Sequence, residues 1–175
     1  MLDIAVAFNR FRFLGNEFLT WIWYLIENDP DKITDSQDHL IPFTIGNHIV
    51  LENKGQDDKM EIISIKGDDA DLKEGKLALT KGAVVTELNL TFTENELSFQ
   101  FNIKGESLHL TGLRPPETGK VDKKEELDGA ILEKYFLYGR VCDLVDALFK
   151  RFILLRLSEA WNKESLPKIK AWIYG

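Results

Sequence analysis

The chain predicts an α+β domain built on an antiparallel sheet of about six strands, and three observations carry that expectation. Apolar and polar residues alternate over 84–92 and again over 97–103, the two-residue period of strands with one buried face. A helical period of three and four residues runs without proline over about 125–157. Residues 11–27 gather two of the four Trp with many other large apolar side chains, a patch too large to stay exposed. The order of patterns, helix, three strands, helix, three strands, two helices, keeps helices and strands in blocks and reads as α+β.

Each element has its own signal. Residues 17–28 read as an N-terminal aromatic helix, because Phe18, Trp21 and Leu25 recur on one face and Asn28-Asp29-Pro30 stops it. Both flanks are apolar, so a sandwiched helix is expected. Ahead of it Arg10 and Arg12 interleave with Phe8, Phe11 and Phe13. That pattern fits a strand with its apolar side down, or a platform for stacking bases. Residues 40–45 and 48–51 flank Gly46-Asn47, a two-residue hairpin signal, and 60–65 continue as a third strand. Residues 69–80 suit a short helix closed by Gly82, with Gly75 weakening it. A second hairpin turns at Glu94-Asn95, and 107–110 form the sixth strand, ended by Pro115-Pro116. The polar stretch at about 114–126 is expected to be a mobile charged connector inside one domain spanning 1–175.

The long C-terminal helix carries two stripes. Ile131, Tyr135, Tyr138, Cys142, Val145, Phe149 and Phe152 step by four and three, and Leu137, Val141, Leu144, Leu148 and Leu155 run beside them. At 1.5 Å per residue the helix would be about 45 Å long, more than one sheet needs, so one end is expected to project or to pack on another chain. A homo-oligomer follows as the expected partner. Ser158 is expected to cap a last short helix carrying Leu166, Ile169, Trp172 and Ile173.

Composition bounds the function. With 44% hydrophobic and 29% charged residues in 175, the chain can bury its own core. A single cysteine, Cys142, excludes an internal disulfide and a cysteine-rich zinc site, and its place on an apolar stripe predicts a core residue. That usage fits a reducing, cytoplasmic setting. No basic export signal precedes the first apolar run, and Asn16 and Glu17 interrupt that run, so no membrane segment is expected. The Asn-x-Thr sequence at Asn89 then reads as part of a strand.

The net charge of −7 is uneven, since residues 133–175 hold eight Lys/Arg against five Asp/Glu. Overall acidity opposes indiscriminate polyanion binding but leaves room for a local basic face. The candidate nucleic-acid contacts are Arg10, Arg12, Lys150, Arg151, Arg156, Lys163, Lys168 and Lys170. The competing reading is a solvated basic surface.

Catalytic patterns are sparse. His39, His48 and His109 lack local metal-ligand spacing, no glycine-rich phosphate loop occurs, and Asp68-Asp69-Ala70-Asp71 lacks the order of a calcium loop. Asp31 with Glu52 and Lys54 loosely imitates the acidic pair and lysine of metal-dependent nucleases, against the plainer reading of two surface turns. No cofactor, metal or small-molecule substrate is implied, and the expectation is a protein without catalysis.

Three blocks carry a family resemblance. Residues Phe13-Leu14-Gly15-Asn16-Glu17-Phe18-Leu19-Thr20-Trp21-Ile22-Trp23-Tyr24, then Leu77 to Leu88 with the strand that follows, and Leu155-Arg156-Leu157-Ser158-Glu159-Ala160-Trp161 are together similar to short bacterial relatives of the recombination-associated RdgC family. The resemblance implies a ring-forming, non-enzymatic homodimer that binds double-stranded DNA with little sequence preference. This chain is much shorter and acidic, and none of the family's DNA contacts aligns to a numbered position here. A protein-interaction or scaffold module without nucleic acid is the alternative.

Overall fold

The computed structural model describes residues 11–54, 59–67, 72–114, 116 and 127–175. Its strands are β1 Thr44–Lys54, β2 Met60–Lys66, β3 Val84–Glu94, β4 Leu97–Lys104 and β5 His109–Arg114. They form one five-stranded sheet in the order β2-β1-β3-β4-β5, antiparallel throughout. The α+β class holds, with one strand fewer than expected.

The missing strand is explained at Gly46-Asn47. The chain does not turn there but runs on as β1, and the register slips, with Ile45 opposite Leu90 and Ile49 opposite Leu88. Such a slip is a bulge, and a bulge uses the same glycine that a hairpin would. A Cβ at position 46 would collide with the Asn89 side chain on β3, so glycine is required by close approach rather than by a turn. At the other end β5 starts later than expected, because Leu108 adopts φ 54° and belongs to the preceding turn.

The helices are α1 Phe13–Asn28, α2 Leu72–Thr80, α3 Leu127–Leu157 and α4 Leu166–Tyr174, with a 3-10 turn at Pro30–Lys32 and a π turn at Trp161–Ser165. Residues 11–13 form helix and turn instead of a strand, with Arg12 at the N-cap of α1, and Phe11 and Phe13 are exposed. Gly82 closes the turn after α2 at φ 89°, as expected. Ser158 caps nothing ahead of it. Its hydroxyl donates back to the Leu155 carbonyl at 2.7 Å and helps to close α3. Arg10, Phe8, Asp68, Asp69, Asp71 and the 117–126 connector lie outside the described residues.

Helix α1 is the middle layer. Phe18, Leu19 and every residue from Trp21 to Leu25 are buried, so it is apolar nearly all round, as a helix packed on two sides must be. One side lies on β3, whose Leu88, Leu90 and Phe92 share the core face with Phe99, Phe101 and Ile103 of β4. On the other side Phe18 meets the Phe149 ring edge-on at 5.2 Å, Trp21 meets Phe152 at 5.6 Å, and Trp23 meets Trp172 at 5.5 Å. Burying each such side chain contributes roughly 1.5–3 kcal/mol. The indole N–H groups of Trp23 and Trp172 both donate to the Glu27 carboxylate, at 2.7 and 2.8 Å, so one acid satisfies two buried donors.

Candidate functional site

Helix α3 changes character along its length. From Val141 onward its core-facing positions, Val141, Leu144, Val145, Leu148 and Phe152, are buried in the core, with Phe152 against Phe18 and Trp21 of α1. Before Val141, Leu127, Ile131, Leu132, Tyr135, Phe136 and Tyr138 are between 40% and 77% exposed. The stripe 131-135-138-142 is therefore the uncovered continuation of the stripe whose later members, Val145, Phe149 and Phe152, pack in the core. Cys142 is exposed and not a core residue, because it falls on the uncovered part of that stripe. Leu132 and Phe136 belong to neither expected stripe. Stepping 100° per residue, they widen the exposed apolar sector on the side away from the core.

An ion cluster fixes the point where burial begins. Arg140 donates to Asp35 Oδ2 at 2.9 Å and to both oxygens of Glu94, with Nε at 2.9 Å from Oε2. It ties α3 to the end of β3 and to the segment after the 3-10 turn. Asp35 is buried, and its Oδ1 also accepts the backbone N–H groups of Gln37 and His39 at 2.8 and 3.0 Å. Burial alone would raise the Asp35 pKa, but those N–H groups and the guanidinium outweigh it and bring the pKa to about 2. The same guanidinium lowers the pKa of Glu94, and the two carboxylates raise that of Arg140. Sequence reasoning missed this cluster. Its signal, an arginine at the boundary of an apolar stripe, says nothing about which acids meet it.

Of the basic residues proposed for nucleic acid, Arg151 and Lys168 share one groove, which the acids Asp29, Asp31, Asp38 and Glu164 also line, and four of the set are paired with acids. Lys150 pairs with Asp146, Lys163 with Glu159, Arg156 with Glu17, and Arg151 with Asp38 while also donating to the Thr34 hydroxyl and to the Lys32 carbonyl. Arg156 also lies over the Trp161 ring at 5.3 Å. Arg12, Lys168 and Lys170 make no ion pair among the described residues. They line three separate depressions, and the two lysines stand two residues apart, about 200° around α4.

The nuclease pattern is also dispersed. Asp31 lines a groove with Trp21 and Lys168, and Glu52 lines a different one with Arg12 and Lys104. Lys54 is the last residue of β1. Among the described residues no group of three His, Cys, Asp or Glu could hold a metal ion, and no helix is long and apolar enough to cross a membrane. Comparison with protein-family models and with curated proteins found no match.

Proposed function

We propose that this protein is a non-catalytic interaction module that pairs with a second copy of itself through the N-terminal half of α3. The observation that carries this reading is the exposed sector Leu127, Ile131, Leu132, Tyr135, Phe136 and Tyr138. Taken at about 200 Å² per large side chain and scaled by their exposure, they present roughly 700 Å², close to the roughly 800 Å² one partner contributes to a standard interface. The spacing of four and three along 131-135-138-142 is the coiled-coil period, which one helix offers to another like itself. Charge permits the pairing. Residues 127–142 carry two acids, Asp128 and Glu133, and two bases, Lys134 and Arg140, so this segment is neutral in a chain of −7.

Sedimentation equilibrium tests this. The wild type is expected to dimerise and Tyr135→Glu/Phe136→Glu to be monomeric with unchanged far-ultraviolet circular dichroism. A monomeric wild type at high protein concentration refutes the reading.

A duplex-DNA role, implied by the RdgC-like resemblance, is the second reading. The observation favouring it is that Arg12, Lys168 and Lys170 have no acid partner among the described residues. Salt-sensitive binding of a labelled duplex, weakened by Lys168→Gln/Lys170→Gln, supports it, and no binding at low salt removes it.

A further inference from the structure

The face of the sheet turned away from the helices holds a polar depression of about 500 Å³, within the size range of small-molecule sites. It runs across the sheet. Lys66 and His48 come from the β2–β1 side, Asn89 from β3, Gln100 and Asn102 from β4, and Arg114 from β5. No carboxylate lines it, and it carries two full positive charges in a chain of −7. Lys66 and Arg114 make no ion pair among the described residues, unlike most of the C-terminal cations.

The amides between them are fixed by each other. Gln100 Nε2 donates to Asn89 Oδ1 at 3.1 Å, and Asn89 Nδ2 donates to the Phe101 carbonyl at 3.3 Å and to Asn102 Oδ1. In the network the Oδ1 atoms of Asn89 and Asn102 each accept one hydrogen bond, and both N–H groups of Asn89 are donated. This leaves the NH₂ of Asn102 and one N–H of Gln100 free to donate outward. Gly112 keeps that side open, since a Cβ there would stand 3.2 Å from Asn102 Nδ2. His48 Nε2 is engaged with the Ser64 hydroxyl at 3.1 Å. The surface is therefore rich in donors and positive at both rims, the complement of a ligand rich in acceptors and negative.

We propose that this depression binds a small phosphorylated, hydroxyl-bearing molecule. The Arg114 guanidinium takes the phosphoryl oxygens, for which its forked N–H geometry suits a bidentate contact. Lys66 closes the opposite rim, and the Gln100 and Asn102 amides donate to ligand oxygens between them. This site is on the other face of the sheet from α1 and does not depend on the pairing of α3.

Ribose 5-phosphate serves as the probe in an NMR titration of the ¹⁵N-labelled protein, with ribose and inorganic phosphate as parallel arms. Ribose 5-phosphate is expected to shift the side-chain NH₂ signals of Gln100 and Asn102 and the backbone signals of Gly67 and Gly112. Ribose should leave them in place, and inorganic phosphate should shift them at higher concentration. Arg114→Gln should weaken the ribose 5-phosphate response at least roughly tenfold, the loss of one charged contact of about 1.5 kcal/mol or more. Absence of those shifts in the wild type, an equal response in Arg114→Gln with an unchanged ¹⁵N spectrum elsewhere, or an equal response to ribose overturns the proposal.

Discussion

Replacing Arg140 with methionine tests how the free half of α3 is anchored. The substitution keeps the aliphatic stem and removes the guanidinium that holds Asp35 and Glu94. Breaking a buried ion pair by removing one partner costs about 3–5 kcal/mol. Arg140 and Glu94 are 24% and 29% exposed, so the low end, about 3 kcal/mol, is expected at neutral pH.

Asp35 allows a check from the pH dependence. Its carboxyl falls from 3.8 to about 2 on folding, worth about 2.5 kcal/mol at 1.36 kcal/mol per unit. A pKa lowered in the folded state stabilises the fold fully above about pH 4 and loses that contribution as the pH falls toward 2. In Arg140→Met the guanidinium share of the stabilisation is gone and the burial cost remains, so the carboxyl titrates higher. The gap between wild type and variant should therefore narrow in acid, from about 3 kcal/mol near pH 7 to about 1 kcal/mol near pH 2.5. Urea unfolding followed by tryptophan fluorescence, at one fixed protein concentration because the proposed pairing would add stability, measures both gaps. A gap under about 1 kcal/mol at neutral pH, or one that stays constant into acid, refutes the reasoning.

Glu27→Ala should destabilise by about 3 kcal/mol, because two indole N–H groups lose a charged acceptor in or beside the core. Glu27→Gln, with one carbonyl oxygen left, should cost about half as much in the same urea assay, and equal costs would contradict the shared-acceptor account. Gly46→Ala should destabilise by roughly 1–3 kcal/mol through its collision with Asn89. Adding Asn89→Ala should recover part of that loss in a double-mutant cycle, and simple additivity of the two costs would place the strain elsewhere.

Much of the fold was legible because it follows from local periodicity. The alternation at 84–92 and 97–103 became β3 and β4 with the expected faces inward, since a two-residue period leaves a strand no other way to bury Leu88, Leu90, Phe99 and Phe101. The aromatic run became a helix between two layers for the same reason. Positions 46 and 142 were misread because their meaning depends on residues distant in the chain, and position 158 because a serine at a helix boundary can bond backward as well as forward. Gly46 answers to Asn89, Cys142 follows the uncovered part of α3, and Ser158 bonds backward to Leu155. The basic residues were legible as charges but not as sites, because a sequence does not show that Arg156 will meet Glu17 across the core.

Sequence alone therefore determined the class of fold, the core faces of the strands and the length of α3, all set by hydrophobic period and chain geometry. Tertiary structure decided which half of α3 stays uncovered, which cations are neutralised at home, and that Lys66, Gln100, Asn102 and Arg114 meet on one sheet face. The physical reason is that burial and ion pairing are properties of residues far apart in the chain, brought together only when the sheet order β2-β1-β3-β4-β5 is fixed.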